Sequence, residues 1–317
     1  MRVAIIGAGF SGLSTAWYLL QSSHCEVTVF DKKAVGAGAS GIAAGLIHPY
    51  VGNQARRSAF ATEAMAATKE LITVAEPYVK KKIILHYGII RHIHNEEQRQ
   101  RLLSHCQAFG DMRLYQENSF WIDSGMTIDC PCYLEGLWLA CNQKGARLMI
   151  EEIQDLNSLT CDFNHVVIAA GAGSKQFAET ECLQLSLIKG QLLKCKVPKT
   201  VQLPKTSSLG RGYVALSESK STCMIGSTYQ RGDFSDCIQP DLAKEELFPK
   251  VALFFPAVID LEVVECYAAL RVTRSGHYLP IATRMKDNIW ALTAMGSRGL
   301  LYHAYFGKTL ANEILSL

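Results

Sequence analysis

Long hydrophobic runs are absent from this sequence: nowhere do about 18 apolar residues follow one another, as a membrane-spanning helix requires. A charged segment followed by an apolar one, the pattern of a secretory signal peptide, is also missing ahead of the first predicted strand. These absences argue against a membrane protein and against a secreted one. We therefore expect a soluble, cytoplasmic protein with no membrane partner.

Cysteine spacings typical of zinc sites or disulfide scaffolds are absent as well, although the chain has 11 cysteines. The nearest approach is the pair Cys130 and Cys132, whose gap is too short for a redox-active motif and which fits a helix cap region. We expect reduced, mostly buried thiols and no metal. His86, His92 and His94 lack acidic or cysteine partners at ligand spacing, so we expect exposed histidines at strand ends.

An excess of charge of one sign is lacking too, since 32 Lys and Arg residues balance 29 Asp and Glu residues for a net charge of +3. This balance neither predicts nor excludes a nucleic-acid partner, because a local basic patch can lie within a near-neutral total. If RNA binds, its phosphates would meet Arg56, Arg57, Lys80, Lys81, Lys82, Arg99 and Arg101. Nothing in the sequence places these residues on one face.

The N-terminus has a glycine-rich turn between a predicted strand and a predicted helix. The apolar residues 2–6 are typical of a buried parallel strand, and Gly7, Gly9 and Gly12 follow as G-x-G-x-x-G. These glycines permit a tight turn, close approach of a pyrophosphate, and close packing of helix on strand. Asp31 ends a second strand 19 residues after Gly12, where a carboxylate binds ribose. We predict a dinucleotide site; the alternative is a glycine-rich turn that binds no nucleotide.

The same glycine pattern recurs at 36–41, but charged lysines precede it instead of a strand, so we expect only a flexible loop there. With one dinucleotide unit, either NAD or FAD could be the cofactor. Two later strands, near 165–170 and 289–294, also end in glycine turns that would let a long cofactor approach. The second of these turns precedes a helix, whose N-terminus suits the electron-rich edge of a reduced flavin.

Taken together, these segments resemble the D-amino-acid-oxidase-like family of FAD-dependent amine oxidases, over essentially the whole chain. The resemblance implies FAD as the cofactor. It places the isoalloxazine beside the loop around 39–46, the adenine side at Ile153, and the pyrimidine end under the turn 296–300. The residues it assigns to FAD are Gly7, Gly9, Phe10, Ser11, Gly12, Asp31, Lys32, Ala39, Ser40, Ala44, Gly45, Leu46, Ile153, Ala170, Gly171, Gly296, Ser297, Arg298, Gly299 and Leu300.

The resemblance also implies an α/β fold, with a Rossmann-type FAD-binding domain and an interleaved antiparallel-sheet substrate domain. We predict that residues 1–75, 130–185 and 270–317 form the FAD-binding domain, and that 76–129 and 186–269 form the substrate domain. Predicted substrate-domain strands cover 187–196, 212–216 and 222–228. An alanine-rich helix is predicted over 59–79, with its end at Pro77.

Three residues are predicted to meet the substrate. Arg271 matches the arginine of the family that holds the substrate carboxylate, and its planar guanidinium suits that task. Arg298 matches a second substrate-side arginine and lies 27 residues further on, which fits a strand, a turn and a returning strand. Its side chain could instead pair elsewhere while its backbone serves the flavin. Tyr213 matches a substrate-domain tyrosine, although a strand tyrosine is more often part of the core.

The segment around Arg271-Val272-Thr273-Arg274 and the turn at 296–300 are similar to the tRNA-modifying branch of the family. That branch usually has an aspartate after the second arginine, where this chain has Ser275. It also has a glycine after the following proline strand, where this chain has Ala282.

We therefore predict an FAD-dependent oxidoreductase acting on CH–NH groups, which oxidises an N-substituted glycine by hydride transfer to flavin. The predicted substrate is the carboxymethylaminomethyl group of a tRNA wobble uridine, with release of glyoxylate. Two alternatives stay open. One is an oxidase of free glycine, sarcosine or a D-amino acid that produces hydrogen peroxide, and the other is a flavin-binding interaction protein without turnover. The partner besides FAD is accordingly tRNA or a small amine.

Overall fold

The computed structural model describes residues 1–52, 54–235 and 237–317. Its α-helices are α1 (Phe10–Leu19), α2 (Ala61–Ala75), α3 (Glu96–Phe109), α4 (Cys130–Gln143), α5 (Asn157–Asp162), α6 (Pro240–Ala252) and α7 (Gly299–Leu315). Its strands are β1 (Arg2–Ile6), β2 (Glu26–Asp31), β3 (Leu46–Ile47), β4 (Ile84–His92), β5 (Met112–Gln116), β6 (Ser119–Ile128), β7 (Arg147–Ile150), β8 (His165–Ile168), β9 (Leu185–Lys196), β10 (Ser208–Leu209), β11 (Tyr213–Leu216), β12 (Thr222–Gly226), β13 (Glu262–Arg274), β14 (Ile281–Lys286) and β15 (Ile289–Thr293).

Six strands form the first sheet, in the order β14-β15-β8-β1-β2-β7. Strand β1 lies between β2 and β8 and runs parallel to both. Only the edge strand β14 is antiparallel to its neighbour. Val3, Ala4 and Ile5 of β1 are fully buried, as expected of a parallel strand covered on both faces. Helices α1, α4 and α7 pack together on this sheet, which confirms the predicted Rossmann-type fold.

The second sheet has the path β13-β9-β12-β11-β10-β4-β6-β3, with β5 paired to β6. The second sheet is antiparallel, as predicted, except at one pair, where β10 runs parallel to β4 with Ser208 opposite Ile90. These two strands come from separate segments of the chain. No hairpin joins them, and only a hairpin would force an antiparallel pairing. The remaining pairs along the path are antiparallel.

The two sheets draw on interleaved parts of the chain. Strands of the first sheet come from 2–31, 147–168 and 281–293, and those of the second from 46–47, 84–128 and 185–274. Residues 46–47 and 270–274 fall within the segments predicted for the FAD-binding domain. The strands that contain them, β3 and β13, nevertheless pair in the second sheet. The predicted domain boundaries stay a prediction.

The alanine-rich helix is shorter than predicted. Helix α2 ends at Ala75, and Pro77 lies in a single turn of 3-10 helix that follows it. Helix α3 was not predicted, although the sequence marks both of its ends. The Asn95 side chain accepts a hydrogen bond from the Gln98 N–H, and Gly110 ends the helix with a φ of 65°. An asparagine cap and a C-terminal glycine are the usual end signals of a helix.

The thiols are free, and six of them are buried. Cys130 opens α4, and the Asp129 side chain accepts a hydrogen bond from the Cys132 N–H at 3.0 Å, as the predicted helix cap region requires. Burial raises the pKa of Cys195 and of Cys223 to about 12. These thiols therefore stay protonated at neutral pH, which makes them poor nucleophiles.

The expectation of exposed histidines is wrong. His86, His92 and His94 are half-buried, and the ring of His92 stacks on Phe254 with centroids 4.7 Å apart. Burial lowers the pKa of His92 to about 4. Within the described ranges, no group of three or more His, Cys, Asp or Glu side chains could hold a metal ion. None of the helices in these ranges is both long enough and apolar enough to cross a membrane.

Candidate cofactor and substrate site

The first glycine turn has no room for side chains at two of its glycines. Gly7 has a φ of 111°, and a Cβ added there would overlap the Ala169 carbonyl oxygen at the end of β8. A Cβ added at Gly12 would overlap the carbonyl oxygen of Gly7. Helix α1 therefore approaches β1 more closely than any residue with a side chain would allow, which is the geometry of a dinucleotide-binding turn.

Ser40 lies against the N-terminus of α1. Its Oγ accepts a hydrogen bond from the Phe10 N–H at 3.2 Å, and a Cβ added at Gly9 would lie 2.8 Å from the same oxygen. The N–H groups of the first helical turn, including that of Ser11, have no carbonyl acceptor within the helix. The resemblance assigns Ser40 to FAD, and in the structure Ser40 lies at the N-terminus of α1, the end of a helix that favours anions.

Asp31 binds the glycine turn from the end of β2. Its Oδ2 accepts a hydrogen bond from the Ala8 N–H at 2.9 Å, and its Oδ1 accepts one from the Lys33 N–H at 3.0 Å. The carboxylate is thus held at the edge of the turn, where a ribose hydroxyl could reach its remaining lone pairs. Lys32 is exposed and pairs with Glu152 at 3.6 Å.

The other residues predicted on the nucleotide side follow β7 and β8. Ile153 is 7% exposed and belongs to the core cluster on this side of the sheet, and its carbonyl accepts a hydrogen bond from Gln176. Ala170 and Gly171 come two and three residues after the end of β8, and Gly171 has a φ of 56°. Both segments lie at the carboxyl edge of the parallel sheet, where ligands of this architecture bind.

The loop predicted to line the flavin enters the second sheet at Gly45. Gly45 has a φ of 80°, and a Cβ there would overlap the Ile128 carbonyl oxygen. Leu46 then pairs with Thr127 of β6 and packs on the same hydrophobic cluster as Tyr213. Of the other predicted residues in this loop, Ala39 is exposed and Ala44 is half-buried.

The C-terminal glycine turn meets the strand that carries Arg271. The Gly296 N–H donates to the Val272 carbonyl oxygen at 2.7 Å, and a Cβ added at Gly296 would lie 3.3 Å from Cγ2 of Thr273. Thr273 and Arg271 point to the same side of β13, since they are two residues apart. The structure therefore brings the predicted flavin turn beside the predicted carboxylate anchor. Ser297 is exposed, whereas Gly299 and Leu300 are half-buried in the first turn of α7.

Arg271 lies in a cluster of residues from three strands. It pairs with Ile188 of β9, and its guanidinium lies over Gly190, where a Cβ would overlap it. Nη2 donates to the Ser227 Oγ at 2.6 Å, and Nη1 approaches the Thr228 carbonyl oxygen at 3.3 Å. The guanidinium is thus oriented by the protein, and no carboxylate among the residues that the structure describes pairs with it.

Tyr213 reaches the same cluster from β11. Its hydroxyl is so close to Gly226 that a Cβ there would overlap it, and it hydrogen-bonds to Ser227. Burial raises the pKa of Tyr213, while the nearby positive charge of Arg271 partly opposes the rise. The phenol therefore stays protonated at neutral pH and can donate a hydrogen bond. Ser227, Gly190 and Gly226 were not predicted, and no spacing in the sequence relates them to Arg271.

The Arg298 side chain contacts Tyr278 and not the Arg271 cluster. Nη1 donates to the Tyr278 carbonyl oxygen at 2.5 Å, and the guanidinium carbon lies 5.3 Å from the centre of the Tyr278 ring. The hairpin of β14 and β15 separates the two arginines in sequence, as their spacing predicted. The arrangement favours the alternative in which the Arg298 side chain pairs elsewhere.

Several of the predicted phosphate contacts already have partners within the protein. Arg57 pairs with Asp111 at 2.7 Å and Arg101 with Glu97 at 2.6 Å. Arg99 donates to the Glu117 carbonyl oxygen at 2.7 Å, and Lys82 lies 3.5 Å from a Glu218 carboxylate oxygen. Binding a phosphate at these positions would compete with existing contacts.

A buried histidine contacts the first residue of each helix that follows a glycine turn, Phe10 of α1 and Gly299 of α7. His303 of α7 is fully buried; its Nδ1 lies 3.0 Å from the Gly299 carbonyl oxygen and its Nε2 2.7 Å from the Tyr133 hydroxyl. Its ring centroid is 5.2 Å from that of Phe10. Burial lowers the pKa of His303 to about 4.

Acid should destabilise the protein through His303. Its pKa is lower in the folded state than the usual 6.5, so the unfolded state binds more protons between pH 6.5 and pH 4, and stability falls as pH falls through that window. We expect a loss of about 2 to 3 kcal/mol from this group between pH 7 and pH 4.5. Urea unfolding at both pH values measures the loss, and His303→Gln should make the decline correspondingly shallower. An equally steep decline in the variant would contradict the prediction.

The fold and the glycine turns define a dinucleotide-binding α/β protein whose second sheet carries an arginine-centred site. The DAO family model, described as FAD dependent oxidoreductase, matches residues 2–313. The chain belongs to this family. This membership confirms FAD as the cofactor, and it confirms the predicted enzyme class, an FAD-dependent oxidoreductase acting on CH–NH groups.

Individual relatives are distant. The chain is 23% identical to human D-aspartate oxidase over 266 residues, which cover 76% of this chain and 71% of that protein. It is 24% identical over 326 aligned positions to the tRNA 5-methylaminomethyl-2-thiouridine biosynthesis bifunctional protein of Maricaulis maris, with 99% of this chain but only 52% of that protein covered. The crystal structure of glycine oxidase from Geobacillus kaustophilus superposes with a TM-score of 0.83 at 21% identity, covering 99% of this chain and 95% of that one.

The residues present fit FAD. Gly7 and Gly12 have no side chains that could cover the backbone of the turn, which is the feature that lets a pyrophosphate approach, and the Asp31 carboxylate lies beside the same turn, bound to the Ala8 N–H. At the carboxyl end of β15, the buried hydroxyl of Thr293 has no hydrogen-bond partner in the described chain. A bound cofactor at this edge of the sheet would offer such a hydroxyl the partner that buried polar groups usually have.

Proposed function

We propose that this protein oxidises an N-substituted glycine, specifically the carboxymethylaminomethyl group of a tRNA wobble uridine, and releases glyoxylate. The observation that carries the proposal is the position of Arg271 beside the Gly296 turn, with its guanidinium oriented by Ser227 and with no carboxylate partner in the described part of the chain. When bound, FAD supplies the acceptor for a hydride. Family membership supports the oxidoreductase chemistry, and the residues around Arg271 support a carboxylate-bearing substrate.

The roles of the residues follow from their geometry. Arg271 would bind the two carboxylate oxygens of the glycine part through parallel hydrogen bonds. Tyr213 stays protonated and would donate a third hydrogen bond to the same group, while Ser227 holds the guanidinium in place. With the carboxylate held, the glycine α-carbon is presented to the flavin side of the cluster.

The reaction needs no series of acid and base residues in the protein. The α-carbon loses a hydride and the amine nitrogen loses a proton, which leaves an imine. Water then adds to the imine carbon and the C–N bond breaks, so that glyoxylate and the aminomethyl base are formed. The residues of this site therefore need only bind and orient a neutral amine.

The choice of tRNA rests on the glycine–serine–arginine–glycine turn at 296–299 and on the match to the bifunctional tRNA-modifying protein along the whole chain. A cytoplasmic location would follow from such a substrate. The alternative, a free-amine oxidase that makes hydrogen peroxide, is favoured by the internal partners of Arg57, Arg99 and Arg101. A non-catalytic flavin-binding protein would have no use for an arginine oriented as Arg271 is.

Anaerobic bleaching of the flavin absorbance separates these functions. We expect rapid bleaching by tRNA that carries the carboxymethylaminomethyl uridine, with a rate at limiting tRNA that falls steeply as salt is raised, because phosphate contacts release counterions. Millimolar glycine, sarcosine and D-alanine should bleach slowly or not at all. Rapid, salt-independent bleaching by a small amine with inert tRNA would establish the alternative and refute the tRNA proposal.

A further inference from the structure

The loop between β13 and β14 presents the most exposed aromatic ring among the large hydrophobic residues that the structure describes. Tyr278 is 80% exposed, above Tyr87 at 70%. A tyrosine ring offers a large flat face on which another planar ring can stack. Its neighbours Ser275, Gly276 and His277 are exposed as well, so the ring is not supported by core packing.

Arg298 holds this ring in place. Its guanidinium donates to the Tyr278 carbonyl oxygen and also lies 5.3 Å from the ring centre, so that a single side chain engages both backbone and ring. Arg298 itself is fixed, because it stands directly before α7 and its N–H donates to the Met295 carbonyl oxygen at 2.9 Å. The ring therefore has one face against a cation and the other towards solvent.

Tyr278 is connected to the Arg271 cluster in two ways, through strand β13 and through Arg298. It follows the end of β13 by four residues, and its anchor Arg298 follows Gly296 by two. Gly296 in turn contacts β13 at Val272 and Thr273, next to Arg271. Tyr278 therefore belongs to the segment that directly continues the strand of Arg271, and its contact with Arg298 ties that segment to the C-terminal glycine turn.

We propose that Tyr278, backed by Arg298, is a stacking platform that selects amines carrying a planar ring one methylene from the nitrogen. The inference rests on the proposed function for its glycine end, which Arg271 would hold. A substrate bound there extends its N-substituent away from the carboxylate, towards Tyr278. A flat ring on that substituent stacks on the solvent-facing side of Tyr278, and the guanidinium behind the phenol strengthens the stack through its positive charge.

The test uses a ring substrate that is not RNA. N-benzylglycine has a planar ring, a methylene, and a glycine nitrogen in the order proposed, whereas sarcosine has only a methyl group. Rapid anaerobic mixing of the FAD-loaded protein with each compound gives a dissociation constant and a rate of flavin reduction. If no reduction occurs, perturbation of the flavin absorbance still gives the dissociation constant.

Tyr278→Ala should weaken N-benzylglycine binding about tenfold, the scale of one ring–aromatic stack. Sarcosine binding should change less than twofold, as should both compounds in Tyr278→Phe, which keeps the ring. Tyr87→Ala removes a tyrosine of β4 that is 70% exposed, and it should change neither compound. Equal weakening of both ligands in Tyr278→Ala, or no weakening of either, would overturn the platform.

The outcome is separable from that of the proposed function. Suppose that Tyr278→Ala weakens N-benzylglycine binding but that tRNA does not bleach the flavin of the wild type. The stacking platform would then be supported, and only the RNA substrate would be refuted. Bleaching by tRNA that is unaffected in Tyr278→Ala, together with equal binding of the two glycine derivatives by the wild type, would refute the platform and leave the tRNA function standing.

Discussion

Arg271→Ala should lower kcat/KM for the glycine-derived substrate by about a hundredfold or more, because the loss of a desolvated charge partner costs about 2 to 5 kcal/mol. The flavin should remain bound, since the contacts of Arg271 are to Ser227, Thr228 and the backbone around Gly190. Arg271→Lys keeps the charge but loses the planar fork, and we expect an intermediate loss of about tenfold. Steady-state kinetics with parallel absorbance spectra measure both effects.

Arg113→Ala is the control for Arg271→Ala, because it removes an arginine that lies on the surface of the protein. Arg113 pairs with Asp123 on the outer strand β5 and is exposed, so its removal should change kcat/KM less than twofold. If Arg271→Ala retained wild-type kinetics with every amine that reduces the flavin, Arg271 would not be the carboxylate anchor. A loss of flavin in Arg271→Ala would instead show a structural role.

Gly12→Ala should abolish FAD binding and destabilise the fold by about 3 kcal/mol or more, because the added methyl group would overlap the Gly7 carbonyl oxygen and neither backbone can move independently. The flavin-to-protein ratio after purification and the urea unfolding midpoint are the two measurements. Stoichiometric FAD in this variant would show that the turn tolerates a wider separation of helix and strand than the structure has.

The second glycine run provides the control. Gly38 belongs to the stretch 36–41, which has the same G-x-G-x-x-G pattern, yet a Cβ added at Gly38 meets nothing within 4 Å. Gly38→Ala should therefore keep full FAD content and full stability. The contrast between the two variants tests whether the overlap at Gly12, and not the loss of a glycine as such, abolishes FAD binding.

Local chemistry determined the first half of the site. The run of apolar residues in β1, the three glycines and Asp31 are joined by short-range geometry, since a strand, a turn and a helix that are adjacent in sequence have few ways to pack. The sequence therefore predicted Gly7, Gly12 and Asp31 in the positions where the structure has them. Family resemblance added FAD, which spacing alone could not distinguish from NAD.

The second half of the site depends on contacts between strands that are distant in sequence. Ser227 and Gly190 surround Arg271 because β12 and β13 both pair with β9, and a pairing register cannot be read from any one strand. For the same reason the parallel pairing of β10 with β4 and the burial of His92 under Phe254 were not foreseen. The sequence by itself determined the nucleotide turn, whose parts are local. Only the tertiary structure decided which groups surround Arg271 and that Arg298 holds Tyr278, because those neighbours are set by sheet pairing and by side-chain packing across the fold.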